Sequence, residues 1–179
     1  MKILKGLLLL IVGIVILALV VALFVKKDYA VEREVTINKP VAVVFDYIKH
    51  IKNQDQYSVW NRLDPASKKT YSGTDGTVGF IYGWESTNKN VGKGEQEITK
   101  ITEGDRVDMK LRFKEPFEAE DEAYMTTQAI GENETKVKWG FKGRMAYPMN
   151  IMLLFMNMEG MLGKDLQGGL DTLKTTLEK

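Results

Sequence analysis

The chain contains no cysteine and only one histidine, His50. The first absence removes disulfides, thiolate nucleophiles and zinc–thiolate centres, and is silent about redox compartment. The second leaves one imidazole for any acid–base step near neutral pH, at a position just after a short helix that suits a surface side chain. Also missing are a glycine-rich phosphate loop, a cluster at metal-ligand spacing and a Gly-x-Ser-x-Gly nucleophile elbow, so the sequence implies no cofactor, no metal and no catalytic residue. Basic runs are absent too. The chain has 25 basic and 24 acidic residues, and setting aside Lys2, Lys5, Lys26 and Lys27 leaves 21 against 24. A surface of that balance does not attract phosphate backbones, which excludes nucleic acid as a partner.

Residues 7–25 carry no charge, and Gly13 is the one position among them that is neither aliphatic nor aromatic. At 1.5 Å rise per residue this run makes a helix about 28 Å long, the thickness of a bilayer's hydrocarbon core. A secretory signal is the competing reading, but its apolar region is about 7 to 15 residues and ends in small residues at a cleavage site. Here the run stops at Val25-Lys26-Lys27 without an Ala-x-Ala. The expectation is a single-pass membrane anchor over residues 1–27 and one domain over residues 28–179, long enough for one well-buried core. Lys2 and Lys5 nearly balance Lys26, Lys27 and Arg33 across the span. Orientation therefore rests on the very short tail, which favours a domain on the outer side.

In residues 29–37, Val31, Val35 and Ile37 fall on one face and Glu32, Glu34 and Thr36 on the other, the period of a half-buried strand. Arg33 falls on the apolar face with no partner legible in the sequence. Asn38-Lys39-Pro40 stops the strand, and Val41, Val44, Phe45 and Ile48 then follow helical spacing. A short helix or turn over residues 53–60 ends at Asp64-Pro65. Beyond residue 69, turn signals such as Asp75-Gly76 and Glu103-Gly104 separate strands with apolar faces Val78/Phe80/Tyr82/Trp84, Val107/Met109/Leu111/Phe113 and Val137/Trp139/Phe141. This predicts an antiparallel sheet covered on one side. Glycines at 79, 83, 92, 94, 140 and 143 predict strong curvature.

Residues 148–179 read as one long, bent helix. Leu162, Leu166, Leu170, Leu173 and Leu177 form a single apolar stripe along it. Residues 149–156 are apolar on nearly all sides and require enclosure by protein, by a ligand or by lipid. Gly160, Gly163, Gly168 and Gly169 interrupt the helix although each costs roughly 1 kcal/mol relative to alanine. The expectation is that the missing side chains leave room between helix and sheet. Met145, Met149, Met152, Met156, Met158 and Met161 would line that room or pack in the core, with a lipid-facing patch as the alternative. Thioethers also bind Cu(I), but no histidine or cysteine stands beside these, and methionine is the usual filler of irregular apolar space.

The segments Ile37-Asn38-Lys39-Pro40-Val41, Val44-Phe45, Trp60-Asn61, Val78-Gly79-Phe80, Tyr82-Gly83-Trp84, Val91-Gly92-Lys93-Gly94, Thr135-Lys136-Val137-Lys138-Trp139 and Gly169-Leu170 with Leu173-Lys174, in that order, resemble the START-like or SRPBCC superfamily, its polyketide cyclase/dehydrase-like branch above all. The resemblance covers almost all of residues 29–179. It implies an α+β helix-grip fold, a curved antiparallel sheet wrapped around a long C-terminal helix, with an apolar cavity that serves lipids, sterols or polyketides. One fold hosts many chemistries, so function must come from the site. The leading expectation is membrane-tethered, non-enzymatic binding of a hydrophobic small molecule (lipid, isoprenoid or polyketide-like) by Val78, Phe80, Tyr82, Trp84, Glu95, Met109, Leu111, Trp139, Phe141, Met152, Met156, Gly160 and Gly163. Trp84 and Trp139 would offer indole donors, and Glu95, if it faces the cavity, a carboxyl with a raised pKa. Two alternatives stand beside it: a polyketide cyclase or hydrolase-type enzyme using Glu95, Tyr82, Tyr124 and Arg144, and an envelope interaction protein whose cavity has closed. No oligomeric state is implied.

Overall fold

The computed structural model describes residues 2–179. Helix α1 (Lys2–Phe24) is uninterrupted and turns its aliphatic side chains outward. Its length and composition suffice to cross a membrane, a test that a signal sequence also passes. After it come β1 (Asp28–Ile37), α2 (Val41–Lys49), a 3-10 turn Ile51–Asn53, and the short helices α3 (Gln54–Tyr57) and α4 (Val59–Leu63). Strands β2 (Lys68–Ser72), β3 (Ile81–Glu85), β4 (Lys93–Thr102), β5 (Arg106–Glu115), β6 (Ala119–Gly131) and β7 (Glu134–Arg144) follow, then a 3-10 segment Met149–Leu154 and α5 (Met158–Leu177).

The seven strands form one antiparallel sheet in the order β1-β7-β6-β5-β4-β3-β2. Hairpin succession puts Asp28, Arg144, Ala119, Glu115, Lys93 and Glu85 at one end of the sheet, the end that α1 leaves. At the far end, α2 follows Ile37 and buries Val44, Phe45 and Ile48, the face its spacing predicts. There the concave side is filled by Ile98, Val107, Met125 and Val137. Helix α5 crosses the same side with Leu166, Leu170 and Leu173 buried and Leu162 and Leu177 partly so. The leucine stripe thus lies on the sheet as its period requires.

The last 32 residues depart from the single long helix expected. The chain breaks between the 3-10 segment and α5 because Asn157 caps α5, its Oδ1 accepting the Gly160 amide at 2.8 Å. Asn150 turns inward for another purpose: its Nδ2 donates to the Ala22 and Val25 carbonyls at 2.7 and 2.9 Å, satisfying the C-terminal end of α1. Val78 also differs, standing exposed outside β3. Residues 74–79 form a turn in which Thr77 Oγ1 donates to the Thr74 carbonyl at 2.7 Å and Gly79 takes φ +87.

The helical glycines do not leave empty space. Arg33, unexplained by its strand position, lays its guanidinium where a side chain on Gly163 would stand and binds the Glu159 carboxylate at 2.7 Å and carbonyl at 3.2 Å. A Cβ on Gly169 would lie 2.7 Å from Cζ3 of Trp139, whose ring is fixed in the core. Glycine is needed there for close approach rather than for flexibility. We expect Gly169→Ala to lower stability by about 1–3 kcal/mol through overpacking, outweighing the roughly 1 kcal/mol that alanine gains in a helix. Denaturant unfolding in detergent checks this; a stabilised variant would contradict the contact.

Candidate functional site

Beneath α5, the half of the sheet nearer α1 is not filled. A cavity of about 280 Å³ remains there. Its walls are Tyr82 and Trp84 from β3, Gln96 from β4, Leu111 and Phe113 from β5, Ala123 from β6, Trp139 and Phe141 from β7, and Leu162 and Leu166 from α5. Gln54, Ser58, Trp60 and Asn61 close one side, while Lys89, Asn90, Val91 and Pro116 in loops at the α1 end, with Glu115 at the last position of β5, form the rim. Trp139 marks the boundary with the filled half, its ring edge-on to Tyr57 at 5.6 Å and to Trp60 at 6.0 Å. The volume sits just under the range of about 300–1,000 Å³ common for small-molecule sites, and the lining has the apolar and aromatic character such sites share.

The buried polar side chains that line this cavity include Gln54, Ser58 and Gln96. Gln54 and Gln96 are both buried, and both point their amide nitrogens at one sulfur, Sδ of Met109, at 3.8 and 2.7 Å. A thioether is a weak acceptor, so neither amide is well satisfied. A second cluster lies at the edge. Asp55 Oδ1 accepts from Tyr82 Oη at 2.8 Å and Asn61 Nδ2 at 2.9 Å, and its Oδ2 pairs with Lys69 at 2.8 Å. Burial by itself pushes the Asp55 carboxyl up, but the hydrogen bonds from Asn61, Lys69 and Tyr82 outweigh it and hold the group below the ordinary range. Tyr82 moves the opposite way, raised well above its ordinary value by burial and then by its hydrogen bond to the Asp55 carboxylate.

Of the residues expected at the site, Tyr82, Trp84, Leu111, Trp139 and Phe141 meet around the cavity. Phe80 and Met109 are buried core neighbours of it. Val78, exposed in its turn, is not. Glu95 lies on the outer face of the sheet, bound to Arg112 at 3.1 Å and Lys114 at 2.9 Å. Its carboxyl is held below the ordinary value, first by the hydrogen bond from Lys114 and, against the penalty of burial, by Arg112 as well, so the expected rise does not occur. The Trp84 indole donor is already used by the Val91 carbonyl at 3.1 Å. Met152 and Met156 stand with the 3-10 segment near the end of α1, and Gly160 and Gly163 are covered by Asn157 and Arg33. His50 binds the Asp46 carbonyl through Nδ1 at 2.7 Å. Sequence reasoning missed Gln54, Gln96 and Ala123. Gln54 and Ala123 fall outside the strand faces assigned from the sequence, and Gln96 reads as the ordinary neighbour of Glu95. Among the described residues no group of three or more His, Cys, Asp or Glu side chains is placed to hold a metal ion.

A family model described as polyketide cyclase/dehydrase and lipid transport matches residues 29–178. Norcoclaurine synthase from Thalictrum flavum is similar in fold, with a TM-score of 0.61 at 10% identity over 84% of this chain and 93% of that one. That enzyme has also been solved in complex with dopamine and hydroxybenzaldehyde. Ginseng major latex-like protein 151 from Panax ginseng gives 0.57 at 16% identity over 84% and 98%. Aha1 from Colwellia psychrerythraea gives 0.56 at 13% over 84% and 96%. These likenesses establish the helix-grip fold. No curated protein matches the chain.

The Asp55 cluster makes a pH-dependent contribution to stability. Its folded pKa lies below the unfolded one, so the contribution is complete above the unfolded value of about 3.9 and is lost as pH falls through the folded value. Asp55→Asn should flatten this acid limb and cost about 1–3 kcal/mol at neutral pH. Urea unfolding across that pH range checks both; an unchanged acid limb would contradict the assignment.

Proposed function

The chain belongs to the polyketide cyclase/dehydrase and lipid transport family, and from that premise we propose that it binds one hydrophobic small molecule, a lipid, isoprenoid or polyketide-like compound, beneath α5. It does so without transforming the ligand, while α1 tethers the domain to a membrane. The cavity itself carries this reading: about 280 Å³ of space walled by Trp84, Leu111, Trp139, Phe141 and Leu166. Empty apolar space forfeits dispersion contacts that a guest would restore. The amides of Gln54 and Gln96 add a preference. A buried amide without a good partner costs about 1–3 kcal/mol, so a neutral carbonyl or hydroxyl on the ligand gains by pairing with them. The charged lining residues, Lys89 and Glu115, stand at the rim, so the interior favours no ionised head group.

The neighbouring norcoclaurine synthase takes small organic molecules in a complex, which supports the same use of the fold here. An enzymatic role would need at least two polar groups converging with protons to exchange. Of the four suggested by the sequence, Tyr82 alone reaches the cavity, and its hydroxyl is committed to Asp55. Tyr124 donates to Glu32 at 2.5 Å on the outer face, and Arg144 pairs with Asp28 at 3.3 Å. These positions favour a binder.

Native mass spectrometry of the purified chain after exposure to a membrane lipid extract tests the proposal. One apolar species per chain should be retained, and Ala123→Phe, which puts a ring into the cavity, should weaken retention by about tenfold or more, equivalent to 1.4 kcal/mol. No retained species, or equal retention by the variant, would overturn it.

A further inference from the structure

The apolar residues 149–155 that follow β7 are not enclosed by the domain. Met149, Met152, Leu154 and Phe155 are exposed, Phe155 to 83%. Exposed large apolar residues that adjoin one another mark a surface meant to be covered. The segment is not a loose loop, however. Fully buried Asn150 ties it to α1 by donating to the Ala22 and Val25 carbonyls, and the Met145 amide donates to the Lys27 carbonyl at 2.9 Å. An apolar groove lined by Val21, Phe24, Tyr29, Leu154, Met156 and Met158 runs between segment and helix. The exposed face is therefore continuous with α1, whose own side chains are uncovered along its length.

The rim of the cavity belongs to the same end of the molecule. Glu115 and Pro116 lie in the β5–β6 hairpin, and Lys89 to Val91 in the β3–β4 loop, both at the end of the sheet that α1 leaves. At the tip of the first loop Phe117 is 80% exposed. Two to three strand spacings, about 10–14 Å, separate that hairpin from β1. Tyr29 in the groove stacks on Phe141 in the cavity wall, with centroids 6.2 Å apart, so one apolar lining leads from the α1 groove to the cavity.

We propose that this end of the domain is a second membrane contact: residues 149–155 and Phe117 enter the interfacial layer of the bilayer, and the cavity rim faces the lipid. The bilayer is the occupant that fits. A covering protein would have to match a surface that already contains the end of a membrane-length helix, whereas lipid covers both without a new interface. Lys26 and Lys27 at the helix end suit the head-group level, where cationic side chains reach water and lipid phosphate. Orientation follows from two contact points. A ligand partitioned in the membrane then reaches the cavity without crossing bulk water. This inference rests on the tethered-binder reading above and adds where the ligand is exchanged.

The chain has no cysteine, so single cysteines carry an environment-sensitive fluorophore without background. Full-length Phe155→Cys, Phe117→Cys and Glu132→Cys are each labelled and reconstituted in phosphatidylcholine vesicles, with Gly13→Cys reporting on α1. Labels at 13, 155 and 117 should be blue-shifted and quenched by acyl-chain nitroxide lipid, while that at 132, in the turn at the far end, should remain as in water. Emission at 155 or at 117 matching that at 132 overturns the proposal, as does an aqueous label at 13. Lipid retained by the chain in detergent, with aqueous labels in vesicles, would sink this inference and leave the binding function standing. Quenched labels with no retained lipid would do the reverse.

Discussion

How near the last helix comes to the sheet depends on the indole of Trp139 lying against Gly169. The helix descends onto that ring because residue 169 has no side chain, and it comes no closer because the ring is held edge-on by Tyr57 and Trp60. On one side of this contact α2 and the leucine stripe close the core. On the other, strands and helix diverge around smaller residues such as Ala123 and leave the cavity. A filled half and an open half of one concave face thus follow from a single aromatic–glycine contact.

The outer face of the sheet has the opposite character, and that contrast fixes the direction of the cavity. Arg112 binds Glu95 and Glu97, Lys138 binds Glu32, and Lys110 binds Glu120, all on strands whose alternate residues are core. Such exposed pairs add little to stability individually. Their effect is to keep one side of every strand wet, so that apolar surface is collected on the side under α5. Among the polar residues on that side, Arg33 is paired with Glu159 and Asp121 accepts the Arg144 amide, whereas Gln54 and Gln96 are neutral and share one weak acceptor, which makes them a polar mark beside an apolar space.

Much of this was legible in the chain. Alternation in β1, β5 and β7 and the spacing of Leu162 to Leu177 are local regularities, and local regularities predict elements and faces well. What failed was information carried by contacts distant in sequence. Arg33 is unintelligible until Gly163 and Glu159, more than a hundred residues later, are beside it. The glycines of α5 suggested vacancy, yet Gly163 and Gly169 receive side chains from the sheet, and the real vacancy lies among Ala123, Leu111 and Leu162, ordinary residues whose sizes fall short of the space. Glu95 and Glu97 differ from cavity residues by one step of strand register. Register within β4 is set by its partners and by a bulge between Ile98 and Lys100, which no short motif announces. Residues 149–156, expected to be enclosed, are instead largely exposed in the domain, and Asn150, a single polar residue in that run, decides where they go by reaching back to the end of α1.

Whether the space beside Trp139 holds a guest decides the function of the domain. A high-resolution crystal structure of the protein purified from membranes without delipidation is the most direct measurement. It should show continuous density of an apolar molecule between Trp84, Trp139 and Leu166, with a polar atom within hydrogen-bond distance of the Gln54 or Gln96 amide. Side chains collapsed into that space, or isolated waters hydrogen-bonded to the two amides, would contradict it.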